Sequence, residues 1–256
     1  GNFKNRPELS TLAFPLIGKG ISPAGELAGI SSGIETIGAR SNPLVFMLFL
    51  LLFPLDYIMA ARVERKKNLI AGHLNEWLET INKLEAFVSL SVFASLNPEY
   101  SFPEINNIDN SGALKMQEAG HPLLPAAKKA CNDFQIAVKG TQHLITGSNM
   151  SGKSTFLRTV GINICLAYAG APVNAVRFNF VPVRLFTCIK VSDSVIDGIS
   201  YFYAEVKRLK MLLDEIEEGE GRPVIYLIDE IFKGTNNIER LKGSESLIKY
   251  LSGKYG

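Results

Sequence analysis

Gly147-Ser148-Asn149-Met150-Ser151-Gly152-Lys153-Ser154 satisfies G-x-x-x-x-G-K-[ST] at every fixed position, and few short strings restrict a fold as tightly. Its context agrees. His143-Leu144-Ile145-Thr146 ahead of it reads as a strand. Thr155 to Tyr168 behind it reads as a helix, with Phe156, Val160, Ile164 and Ala167 on one face and Gly170 and Pro172 closing it. Glycines let backbone N–H groups turn inward, and a helix N-terminus adds positive potential, so strand, loop and helix together suit a phosphate. Lys153 is then placed to reach β- and γ-phosphates, and Ser154 to hold Mg²⁺. A Gly/Ser-rich turn with an exposed lysine is the bland alternative, and it leaves the flanking strand and helix unexplained.

A second segment complements the loop. Pro223-Val224-Ile225-Tyr226-Leu227-Ile228 is a buried-strand run that ends in Asp229-Glu230. A carboxylate at the end of such a strand lies beside the loop in folds of this kind. Asp229 is expected in the Mg²⁺ shell, and Glu230 is expected to position or deprotonate an attacking water. A solvated strand end is the structural alternative for the acid pair.

The rest of the chain organises around these two segments. Ile70, Leu74, Trp77, Ile81, Leu84 and Phe87 recur at helical spacing between Asn68 and Leu96, and Asn97-Pro98 ends the run. This reads as a bundle helix. Residues 99–120 look like a linker, and short β-type runs alternating with helices follow, which divides the chain into 1–112 and 113–256. Pro43 to Leu55 is uninterruptedly apolar and is followed by Arg62, Arg65, Lys66 and Lys67. Its 13 residues fall short of the about 20 a membrane span needs, so it reads as a buried helix, with membrane contact through residues 43–60 as the alternative. A net charge of +2 does not by itself argue for nucleic acid. Cys131, Cys165 and Cys188 lack disulfide or zinc spacing and point to a reducing, cytoplasmic setting. The chain opens Gly1-Asn2 and reads as a piece of something longer.

Several ordered motifs resemble the MutS family of DNA mismatch-repair proteins. Thr146 to Arg158 resembles the family's Walker A, T-G-P-N-M-G-G-K-S-T with an aromatic, Leu or Met, and Arg behind it, and Asn149-Met150 is the family-specific part. Gly120-His121-Pro122 resembles the upstream G/R-H-P element, and Ala171-Pro172-Val173-Asn174-Ala175 the V-P-A stretch. Ser192-Asp193 with Gly198, Ser200, Phe202 and Glu205 resembles S-D…G-x-S-T-F-x-x-E. Asp229-Glu230-Ile231-Phe232-Lys233-Gly234-Thr235 resembles D-E-I-G-R-G-T. Residues 118–240 carry the resemblance strongly, and 68–117 weakly, as the helical core before the ATPase domain.

The resemblance implies an α/β P-loop NTPase domain of the ABC-ATPase-like class, with a mixed sheet flanked by helices, preceded by an all-α segment. It implies ATP and Mg²⁺ as ligands, held by Gly147, Ser148, Asn149, Met150, Ser151, Gly152, Lys153, Ser154 and Thr155, with Ser154 and Asp229 toward the metal and Glu230 and Lys153 in catalysis. It also implies a homodimer of ATPase domains in which Ser200 completes the partner's site, and mismatched or branched DNA as the polymer bound. On the residues alone, Ser200 reads as a helix N-cap ahead of an amphipathic helix through Phe202, Val206, Leu209, Leu213 and Ile216, with Glu205 paired to Arg208. Ser151, Phe232-Lys233 and Asn236-Asn237 depart from the usual family residues and resemble a divergent bacterial MutS-like branch. The mismatch-reading wedge has no counterpart here, and the switch histidine is placed past Gly256, so neither mismatch specificity nor full activity of this fragment is implied. Of the rivals, an ABC transporter ATPase needs its signature ahead of the acid pair, whereas Leu251-Ser252-Gly253-Lys254 lies behind it. A small-molecule kinase needs neither Glu230 nor Ser200. A nucleotide-gated scaffold that hardly turns over shares the same motifs.

Overall fold

The computed structural model describes residues 6–18, 21–38, 55–107, 112–136, 141–148, 150–189, 201–218, 222–232 and 236–255. The chain divides into two compact units, Gly1–Ser89 and Leu90–Gly256. The first contains α1 (Pro7–Ile17), α2 (Pro23–Gly38) and most of α3 (Leu55–Leu96). Lys66 on α3 reaches Glu26 on α2 with a 3.2 Å ion pair. The periodic stripe expected from Asn68 is helical, and the helix is described from Leu55 onward. Trp77 is buried, yet Leu74, Ile81 and Phe87 on the same stripe are exposed. The apolar run at 43–54 lies outside the described residues. Among the described residues no helix is long and apolar enough to cross a membrane.

The second unit is α/β, with a mixed sheet flanked by helices. Strands β1 (Glu104–Ile105), β2 (Leu114–Ala119), β3 (Asn132–Ile136) and β4 (Arg177–Phe180) form a four-stranded sheet ordered β1-β4-β2-β3. β2 is antiparallel to both its neighbours, and β1 runs parallel to β4. Strands β5 (Arg184–Cys188) and β6 (Val224–Ile228) pair in parallel, from Arg184 opposite Val224 to Cys188 opposite Ile228. Helices α4 (Lys153–Tyr168), α5 (Tyr201–Glu218) and α6 (Asn237–Tyr255) complete the unit.

Within segment 99–120, expected as a linker, Glu104–Ile105 and Leu114–Ala119 instead belong to this sheet. Ser101 exchanges backbone hydrogen bonds with Val173, and Leu114 and Met116 of β2 are fully buried. Alternation in Leu114-Lys115-Met116 outweighs the Asn/Pro-rich composition around it. The second unit accordingly begins at Leu90, ahead of the division expected at residue 112.

β6 explains its own apolar run. Ile225 and Leu227 join a core with Val160 and Ile164 of α4 and Phe178 and Phe180 of β4. Tyr226 and Ile228 point the other way, onto Leu209 of α5 and Leu247 and Leu251 of α6. A strand covered on both faces needs no polar alternation. Helix α4 packs tightly on it at Gly161, where a Cβ would sit 3.1 Å from Leu227 Cδ1.

Candidate functional site

The loop ahead of α4 turns through left-handed backbone. Met150 has φ +63° and Gly152 φ +91°, and α4 starts at Lys153 with the Phe156 N–H donating to Gly152 O at 2.8 Å. Only glycine adopts the second of these geometries without strain. Lys153 Nζ folds back into the loop, donating to Gly147 O at 2.9 Å and Ser148 O at 2.6 Å. Gly147 is crowded by the Ser151 hydroxyl, 2.9 Å from where a Cβ would stand. Thr155 is exposed and Ser154 half-buried in the first turn of α4. Asn149 lies outside the described residues.

A cleft of about 770 Å³ opens between this loop and β6, and its walls carry Lys153, His143, Asp229, Glu230 and Arg240. The structure thus brings the lysine and the acid pair to one cavity; Ser154 does not line it. Asp229 is anchored by its N–H to Cys188 O at 2.9 Å, which extends the β5–β6 ladder by one residue. Glu230 leaves the ladder at φ +51° and is exposed. His143 to Thr146, expected as a strand, carries no strand pairing. The cleft separates residues 141–145 from β6, and Leu144 is 79% exposed, so no ladder partner reaches this segment.

Three features of the site carry no sign in the sequence: the place of Phe134, the place of Asn163, and the loop that the Glu205 carboxylate turns to. Phe134 on β3 stands edge-on to His143 and Phe156, with centroids 5.0 and 5.1 Å away, as an aromatic wall of the cleft. Nothing in its spacing set it apart from a core residue. Asn163, fully buried on α4, donates to Gly120 O at 3.1 Å and accepts the Asn174 N–H at 2.9 Å. Gly120 N in turn donates to Asn174 O at 2.8 Å. One amide therefore joins the Gly120-His121-Pro122 and Ala171-to-Ala175 segments to the helix that follows the glycine loop.

The third feature is Glu205, 1% exposed on α5. Its Oε1 accepts the Phe232 N–H at 2.7 Å, so the carboxylate turns inward to the loop after β6. This contact comes from 27 residues away, a separation that helix-face arithmetic does not register. Burial, and then the Glu205 charge, push the Cys188 thiol above its ordinary range, while Arg208 opposes them. Ser200, Ser192-Asp193 and Gly234-Thr235 lie outside the described residues.

Comparison with known proteins agrees with this arrangement. Residues 143–256 match the family described as MutS domain V. The chain is 26% identical over 212 residues to the DNA mismatch repair protein MutS of Desulforamulus reducens, covering 80% of this chain and 23% of that protein. It is 29% identical over 196 residues to the protein of the same name from Lysinibacillus sphaericus, covering 73% and 22%. With that from Clostridium perfringens it shares 31% over 194 residues, covering 72% and 20%. The matched part is thus between a fifth and a quarter of these relatives' length. The chain belongs to the MutS family and carries that family's domain V at residues 143–256.

Proposed function

We propose that the cleft binds and hydrolyses Mg·ATP, and that hydrolysis drives DNA binding or clamp switching in a MutS-like repair or recombination protein. The observation that carries this reading is Lys153 folded onto the Gly147 and Ser148 carbonyls in a cleft whose opposite wall presents Asp229 and Glu230. A lysine ammonium at a helix start is a ready site for phosphate oxygens. With ATP bound, Lys153 would exchange its carbonyl partners for phosphate, and backbone N–H groups of the glycine loop would hold the anion.

The donor set fits magnesium. Ser154 and Asp229 offer hard oxygens, and Mg²⁺ typically takes one or two protein ligands plus substrate phosphates. Among the described residues no group of three or more His, Cys, Asp or Glu is placed to hold a metal ion. Held by Ser154 and Asp229, Mg²⁺ would supply charge neutralisation to the transferred phosphoryl group. Glu230, exposed at the cleft, takes the proton of the attacking water.

Lys153→Ala tests the reading. Titration with a fluorescent ATP analogue should show binding lost while the thermal melt stays within a few degrees of wild type. Unchanged nucleotide affinity in this variant refutes the site.

A further inference from the structure

We propose that Glu205 is a positioning residue for Glu230, holding the loop after β6 through the Phe232 backbone, and that Gly243 on α6 is the seat the Phe232 ring requires. This rests on the role given to Glu230 above. The loop is an unusual piece of backbone. Glu230 and Phe232 both lie in the left-handed region, at φ +51° and +58°, with one residue between them. Side chains disfavour that region, so such residues persist only where their surroundings over-determine them.

Two contacts do so here. The first is the 2.7 Å hydrogen bond from Phe232 N to Glu205 Oε1. A carboxylate this deeply buried is costly unless hydrogen-bonded, so its presence is better explained by the backbone it fixes than by stability. The second is the ring of Phe232, which lies against Gly243 and joins the cluster of Leu209, Leu247 and Leu251. A Cβ at Gly243 would sit 2.9 Å from Phe232 Cε2 and 3.1 Å from Cδ2, closer than real methyl contacts allow. The Glu205 carboxylate from α5, accepting the Phe232 N–H, and the ring seat on α6 together clamp Phe232. Glu230, two residues before it, is thereby aimed at the cleft.

The test measures ATP turnover, nucleotide affinity and melting temperature in the full chain. Glu205→Leu should lower kcat at least about tenfold while nucleotide affinity stays within about twofold, since misplacing a reacting group affects chemistry more than binding. Glu205→Gln, whose amide oxygen still accepts the Phe232 N–H, should recover most of that loss. Gly243→Ala should lower kcat and the melting temperature in the Phe232 background, and lose both effects once combined with Phe232→Gly, which has no ring to displace and accepts positive φ. Equal falls in kcat and affinity for Glu205→Leu, or additive effects in the Phe232/Gly243 cycle, overturn the proposal. If Glu205→Leu fails to fold, the cycle decides. A wild-type chain that does not turn over ATP refutes the role of Glu230 and the positioning with it, whereas the Gly243 seat stands or falls on the melting temperatures alone.

Discussion

Asp229 and Glu230 are neighbours in sequence and leave β6 in different ways, which separates their chemistry. The Asp229 backbone is still tied to Cys188 O, which fixes its Cα beside the cleft, as the metal-shell role proposed for it requires. Glu230 sits beyond the ladder on a left-handed turn. Glu230→Gln is therefore expected to keep Mg·ATP affinity and slow hydrolysis by at least about 10²-fold, the usual worth of a general base. Asp229→Asn should instead weaken binding only when Mg²⁺ is present. Single-turnover kinetics and binding with and without Mg²⁺ distinguish these outcomes; identical behaviour of the two variants contradicts the division of roles. At the same strand end, Cys188 is buried with its thiol pKa raised, first by that burial. The thiolate is the reactive form, so an alkylating reagent at mildly alkaline pH should modify exposed Cys131 and Cys165 and spare Cys188. Mass spectrometry of the native protein reads this, and labelling of all three at one rate would contradict the packing.

At the scale of elements, α4 and β6 could be read directly. Val160, Ile164 and Ala167 repeat at helical spacing and are buried together, and the apolar run of β6 is covered on both faces. These patterns are local, and burial is what local patterns encode. In the sequence the short alternation of β2 is masked by the Asn and Pro around it, and segment 143–146 has the composition of a strand without a pairing partner. Asn163 was not legible at all. Its partners lie 43 and 11 residues away, and a lone Asn within a helix gives no sign of what it joins. It is nonetheless the point where three segments meet. Removing it strands the Asn174 N–H and the Gly120 carbonyl in the core. Asn163→Leu should then destabilise the second unit by about 2–6 kcal/mol, from two lost partners at about 1–3 kcal/mol each. Urea denaturation checks this; a change under about 0.5 kcal/mol, the scatter of ordinary surface substitutions, would show the amide to be dispensable.

At the scale of the whole molecule, the resemblance implies a site completed by a second copy. We propose that Ser200, immediately before α5, acts on the nucleotide of the opposite subunit. Its position in the chain motivates this: Ser200 to Glu205 lies between the glycine loop and the acid pair, where MutS-like proteins carry their signature, and it begins the helix whose Glu205 holds the loop after β6. Contact with a partner's nucleotide at the start of α5 would thus be one helix away from Glu230. Mixing two defective proteins tests the arrangement. A Lys153→Ala subunit keeps Ser200 and loses its own nucleotide; a Ser200→Ala subunit keeps its nucleotide and loses the serine it lends. In a heterodimer one composite site is whole, so turnover should return to about half the wild-type value per dimer, as for a residue supplied in trans. Sites working in cis cannot be repaired this way, because every subunit carries a lesion. Size-exclusion chromatography first establishes that the subunits exchange. Should exchanged mixtures remain inactive while wild-type dimers hydrolyse ATP, Ser200 does not serve the partner, and its role reduces to capping α5.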